Sequence, residues 1–118
     1  MLYNIKMLSR KYRANKDDIE ETVKYGLNIQ GDFLYAKVSR GKKDINTFAI
    51  IISKKTEKTS VGRHLIKRRI SSVLEDIIKD SSKDYLKTIV FFYKKSKKVP
   101  ETSLFYDDLS DILSKISS

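Results

Sequence analysis

Ile66, Ile70, Val73, Leu74, Ile77 and Ile78 recur at helical spacing between residues 61 and 79. At 100° per residue an α-helix gathers this set onto one stripe, so the segment is predicted to be helical with that stripe against a core. Thr59 or Ser60 can cap its start. Its first turns read Arg63-His64-Leu65-Ile66-Lys67-Arg68-Arg69. With the stripe inward, His64 and Arg68 point nearly the opposite way, and Lys67 and Arg69 border it on either side. Leu65 falls off the stripe and is expected to be exposed. One helix therefore offers a core face and a basic face, and the chain must supply a partner for each.

The core partner is a small sheet. Residues 33–40 alternate, with Leu34, Ala36 and Val38 on one side and Phe33, Tyr35, Lys37 and Ser39 on the other. Residues 47–53 are almost continuously apolar (Phe48, Ala49, Ile50, Ile51, Ile52), as a central strand would be. Residues 41–46 read as a hairpin loop between these two strands. Residues 86–93 form a further apolar strand, followed by a basic loop at 94–98, and residues 27–30 add a short one. A first helix is predicted over residues 16–25, capped by Asn15, with acids in its first turn and Gly26 closing it. A last amphipathic helix covers residues 103–116, with Leu104, Phe105, Leu109, Ile112, Leu113 and Ile116 apolar. The fold class is α+β, in the order α-β-β-β-α-β-α: a small mixed β-sheet packed with helices, a two-layer sandwich like those of ribosomal proteins. With 118 residues and a single Pro, the chain is expected to form one domain, residues 1–118, without a linker.

The partner of the basic face is a polyanion. Lys and Arg total 25 against 15 Asp and Glu, a formal charge of +10. The surplus is uneven: residues 1–43 carry a net +5 and residues 54–69 a net +6, whereas residues 70–118 balance. The alternative, a solvated basic face that only aids solubility, fits this asymmetry less well. Absence of Cys excludes disulfides, zinc ribbons, iron–sulfur sites and thiol nucleophiles, and a single His excludes a histidine metal cluster. No apolar run approaches the ~20 residues needed to span a bilayer, and no secretory signal is visible. A soluble cytoplasmic protein, monomeric and without membrane contact, is expected.

Guanidinium groups bind phosphate bidentately, ammoniums act as point charges, and the amides of a helix N-terminus add donors. Arg63, His64, Lys67, Arg68 and Arg69 supply such a set, with Lys54 and Lys55 just upstream. Phe33, Tyr35 and Lys37 form a second candidate, rings beside a cation, which suits a single strand of nucleic acid. Its competing reading is that helices cover this face and the rings are core. His64 has no partner at a spacing that would make a ribonuclease site, so no catalytic residue is assigned. Asp107, Asp108 and Asp111 read as the solvated, dipole-favoured start of a helix rather than a metal site. No metal or tightly bound cofactor is assigned to the chain.

Ser53-Lys54-Lys55, a loop, and then Arg63-His64-Leu65-Ile66-Lys67-Arg68 resemble the core motif of the bacterial ribonuclease P protein family. There a strand ends in Ser-Lys-Lys and a helix opens with Arg-Asn-Arg-x-Lys-Arg. Tyr12-Arg13-Ala14-Asn15-Lys16-Asp17-Asp18-Ile19, continuing to Lys24-Tyr25-Gly26, resembles that family's basic start, first helix and closing Gly. Length, charge and element order agree along nearly the whole chain. The departures are local. The family's Asn is His64, its second Arg is Leu65, the loop before Arg63 is one residue longer, and a frequent basic residue one turn later is Ser71. Where that family places aromatic residues on its first helix, this chain has Ile19 and Val23.

The resemblance implies a protein subunit that binds a catalytic RNA and the 5′ leader of precursor tRNA, and assists removal of the leader. The chemistry then belongs to the RNA and its Mg2+ ions. It implies that Lys54, Lys55, Arg63, His64, Lys67, Arg68 and Arg69 contact the catalytic RNA. It implies a leader cleft between the first helix and the sheet, at Arg13, Ile19, Val23, Phe33 and Tyr35. A structural ribosomal-type RNA-binding protein is the alternative, and it leaves the paired motifs unexplained. A self-sufficient ribonuclease toxin has only His64 in its favour.

Overall fold

The computed structural model describes residues 10–41, 45–80, 87–96 and 98–117. The basic segment before Arg10, residues 42–44 of the predicted loop, Leu86 and Lys97 lie outside them. A 3-10 turn (Arg10–Tyr12) leads into α1 (Lys16–Tyr25), β1 (Leu27–Gln30), β2 (Leu34–Arg40), β3 (Thr47–Ile51), α2 (Ser60–Asp80), β4 (Lys87–Tyr93) and α3 (Thr102–Ser117). The helix ends follow local chemistry. The Asn15 side chain accepts the Asp18 N–H at 2.8 Å, and the Gly26 N–H closes α1 onto the Thr22 carbonyl, also at 2.8 Å. An added Cβ at Gly26 would meet that carbonyl and the backbone of Val38, so the chain can turn into β1 here only without a side chain.

The strand order is β1-β2-β4-β3, with β1–β2 and β2–β4 antiparallel and β3–β4 parallel. Two sequence expectations change. The hairpin expected at residues 41–46 falls partly outside the described residues, and β2 and β3 do not pair, because β4 sits between them. Nor is the apolar run at 47–53 a central strand: β3 lies at the edge. Alternation specifies which side chains share a face and carries no information on which strand is the neighbour. The run is apolar because both sides of β3 are used. Phe48 enters the core, while Ala49 and Ile51 alternate to the other face. The outer edge of β3 is also covered, by an isolated bridge from Arg13 to Phe48 and an Ala14 N–H donated to the Phe48 carbonyl at 2.9 Å.

One face of the sheet makes the core. Leu34, Ala36 and Val38 of β2, Phe48 of β3, and Ile89, Phe91 and Tyr93 of β4 meet Ile66, Ile70, Val73 and Leu74 of α2 and Phe105, Leu109, Ile112 and Leu113 of α3. Truncating a wholly buried member such as Ile70 to Ala costs about 2–5 kcal/mol. The opposite face carries α1. Thr22, fully buried on α1, shares a 2.6 Å hydrogen bond with Ser39, which alternates to the side of Tyr35 and Lys37. The molecule is thus the expected sheet-on-helix sandwich with α1 added on the second face.

Candidate nucleic-acid interface

The approach to α2 is built from its own side chains. Thr59 is the cap: its hydroxyl accepts the Gly62 N–H at 3.0 Å and its carbonyl accepts the Arg63 N–H at 3.0 Å. The Glu57 carboxylate accepts the Thr59 hydroxyl at 2.8 Å and the Thr59 N–H at 3.2 Å. Those two bonds, with the nearby Arg63 charge, hold the Glu57 carboxyl below its ordinary value of 4.5. Lys54 and Lys55 sit exposed in a tight turn closed by N–H donation from Thr56 and Glu57 to the Ser53 carbonyl.

The basic residues of α2 divide into two groups. His64, Lys67 and Arg68 are exposed. Arg63 and Arg69 are half-buried and engaged with backbone. Arg63 donates to the Glu57 carbonyl at 3.0 Å and the Lys58 carbonyl at 2.9 Å, fastening the preceding loop to the helix. Arg69 donates to the Pro100 carbonyl at 2.8 Å, fastening the approach to α3. Leu65, expected to be exposed, is half-buried. It lies one turn before Arg69, on the flank that the Pro100 bond draws against the rest of the molecule.

Two grooves meet along β3 and α2. One, of about 250 Å³, is lined by Ile50, Ile52, Ser60, Arg63, His64 and Lys67. The other, of about 460 Å³, is lined by Arg13, Ala14 and Ile19, by β3, and by Lys67 and Ser71. Lys67 belongs to both. The structure thus brings Arg13 and Ile19 of the expected cleft beside the basic helix. Tyr35 lies on the α1 side of the sheet and stacks on Phe92, its cross-strand partner, with ring centroids 4.8 Å apart and planes 9° from parallel. Val23 is half-buried on α1 and does not line these grooves. Phe33 departs from the expected row: it precedes β2 and packs against the core, its N–H held by Asp108 at 3.1 Å.

Sequence reasoning missed Phe92 and Ser71 as site residues. Phe92 is hidden in an unbroken apolar strand, and only its register with Tyr35 shows its side. Ser71 is 1% exposed, and its hydroxyl has no hydrogen-bond partner in the described structure. A Ser in the middle of a helix gives no such signal. Among the described residues no three His, Cys, Asp or Glu gather as a metal site. Asp108, read as solvated, is 5% exposed and accepts backbone N–H groups of Asp32, Phe33 and Leu34.

A basic helix beside a grooved sheet is shared by many RNA-binding folds, but the family model for ribonuclease P matches residues 8–117. The chain belongs to the ribonuclease P protein family. Two solved structures show the same fold. The Staphylococcus aureus RNase P protein aligns with a TM-score of 0.73 at 23% identity, covering 88% of this chain and 94% of that one. The Thermotoga maritima RNase P protein aligns at 0.72 and 16% identity, covering 87% and 96%. No curated protein matches. Ribonuclease P is a ribonucleoprotein endoribonuclease, so the chain is its protein subunit and the RNA carries the chemistry. Nothing favours the ribosomal-type alternative. No described helix is long and apolar enough to cross a membrane.

Proposed function

We propose that the exposed face of α2, His64, Lys67 and Arg68, together with the Lys54–Lys55 turn, binds the catalytic RNA. In the same reading the leader of precursor tRNA lies in the cleft between α1 and the sheet, near Arg13, Ile19 and Val23 and the Tyr35–Phe92 pair. The observation that carries it is Lys67, which lines both the groove with Arg63 and His64 and the groove with Arg13 and Ile19. A cation at that junction can neutralise phosphates of two RNAs converging on one place. Arg63 and Arg69 support this surface by fixing the segments on either side of it.

The protein acts by binding. It screens the repulsion between two polyanions and holds the substrate in register for hydrolysis at the RNA, where Mg2+ supplies the metal chemistry. A role in maturing precursor tRNA supports a cytoplasmic location. The test is reconstitution: the chain alone leaves precursor tRNA intact, and with its cognate RNA it accelerates 5′ cleavage at low magnesium. Failure to accelerate, with both components folded, sinks the reading.

A further inference from the structure

β1 ends the sheet at the edge opposite β3, and no described strand pairs with its outer side. The Gly31 N–H, donated to the Leu34 carbonyl at 2.8 Å, makes residues 31 and 34 a hydrogen-bonded pair. By alternation Leu27 and Ile29 turn their peptide groups toward β2, and Asn28 and Gln30 turn theirs outward. The Lys115 ammonium, paired with Asp111 at 3.1 Å, reaches the Gln30 carbonyl from that outer side at 3.2 Å. The side chains of Leu27 and Ile29 stand opposite Val38 and Ala36, so they lie on the core face of the sheet. There they border a groove of about 660 Å³, together with Val38 and with Ile116 of α3. Leu27 is 76% exposed. Arg40 and Lys87, cross-strand partners on the same face, also line this groove. Like charges placed opposite one another destabilise a sheet, and an anion between them removes the cost. No carboxylate is among the described residues that line the groove.

We propose that this edge docks an extended acidic segment of a protein partner, which adds to β1 as a further strand. Its backbone bonds the outward peptide groups of Asn28 and Gln30, and its alternate side chains enter the groove. Apolar ones meet Leu27, Ile29 and Ile116, and carboxylates meet the Arg40–Lys87 pair. Charge and shape together select this occupant. A second copy would set these cations against those of another +10 chain. RNA has the right sign, but its bases stack on rings, and the walls beside β1 are aliphatic. The ring at the groove, Tyr25, already has the Lys24 ammonium over its face, 5.5 Å from the centroid. A strand edge with unused peptide groups is matched by another peptide backbone. The basic face of α2 lies beside β3 at the opposite edge, so the two surfaces are separate. The proposal is independent of the leader-cleft reading.

The experiment uses the full chain and, as probe, the capped peptide Glu-Thr-Val-Thr-Val-Thr-Glu, which as a strand puts Glu and Val on one face. Binding should saturate, and amide hydrogen exchange should slow at Asn28 and Gln30. Replacing both Glu of the probe by Gln, or Arg40→Gln/Lys87→Gln in the protein, should weaken Kd about fivefold or more. Asn28→Pro removes an outward donor and no bond to β2, so it should abolish binding. A thermal melt checks that each variant is folded, and a probe N-methylated along its backbone tests the same bonds without touching the protein. The proposal falls if binding does not saturate, if the slowed amides lie on α2 instead of β1, or if binding survives N-methylation and the Gln substitutions undiminished. A single-stranded RNA that protects Asn28 and Gln30 at lower concentration than the peptide would assign the groove to nucleic acid. Dimerisation of the free protein, abolished by Asn28→Pro, would assign it to a second copy. Either result overturns the docking of a protein partner.

Discussion

The carboxylate of Asp108 on α3 accepts the backbone N–H of Leu34 at the start of β2, 2.9 Å away and 74 positions earlier in the chain. The same carboxylate takes the N–H groups of Asp32 at 2.6 Å and Phe33 at 3.1 Å. One side chain thus satisfies the turn between β1 and β2 and locks it to the last helix. Asp108→Ala strands three donors and should cost about 3 kcal/mol or more, read as a lower urea midpoint. Gly31→Ala should destabilise for the complementary reason, since an added Cβ would come within 2.6 Å of that carboxylate. A midpoint unchanged in both variants would refute the lock.

The exposed and the engaged cations of α2 should separate experimentally. Lys67→Ala and Arg68→Ala should weaken binding to the catalytic RNA by about 1–3 kcal/mol and flatten the salt dependence by roughly one phosphate each, with the fold intact. Arg69→Ala should lower stability, because the carbonyl of Pro100, a buried residue, loses its donor. Equal losses of RNA affinity in all three, with equal melts, would contradict the division.

How much of this was legible beforehand follows from the range of each interaction. The limits of α1 were readable because Asn15 and Gly26 act within one turn. The core stripe of α2 was readable because helical spacing is periodic. Strand neighbours were not, because β2 and β4 pair residues 47 to 59 positions apart and alternation is blind to partner. The basic helix was found, yet a helical wheel gives only the direction of a side chain. It could not show that Arg63 and Arg69 end on carbonyls, nor that Asp108 differs from its solvated neighbours Asp107 and Asp111.

The cap of α2 should titrate. The folded Glu57 carboxyl is held below 4.5, so its contribution is fully present above that pH and is lost as pH falls through the lower folded value. Glu57→Gln should therefore be less stable than the wild type at pH 7, and the gap should close toward pH 3. Melts of both proteins across that range check it, and a gap independent of pH would remove Glu57 from the cap.

At the cleft positions expected on α1, Ile19 and Val23 offer no ring to stack on a leader base, and Tyr35 is already stacked on Phe92. Base–aromatic stacking is worth about 1–3 kcal/mol per base, so its absence at the α1 wall should leave the cleft tolerant of leader sequence. Competition among leaders randomised at each position should show weak preferences. A strong preference for one base at a fixed position, lost in Ile19→Ala, would contradict this.

Folding gathers His64, Lys67 and Arg68 on one face of α2 and sets Arg40 opposite Lys87, in a chain of net charge +10. The unfolded chain largely avoids that repulsion, so the free protein should be only marginally stable in dilute buffer. An anion that binds the folded clusters stabilises by RT ln(1 + [L]/Kd), about 2.7 kcal/mol at a hundredfold excess over Kd. Screening, by contrast, depends on ionic strength alone. Pyrophosphate should therefore raise the urea midpoint well above that in chloride at matched ionic strength. Lys67→Ala/Arg68→Ala should reduce the difference, since those variants remove part of the anion site while leaving bulk screening unchanged. If the two salts give the same midpoint for the wild type, the cations are a solvated surface and the phosphate seat assigned to α2 falls.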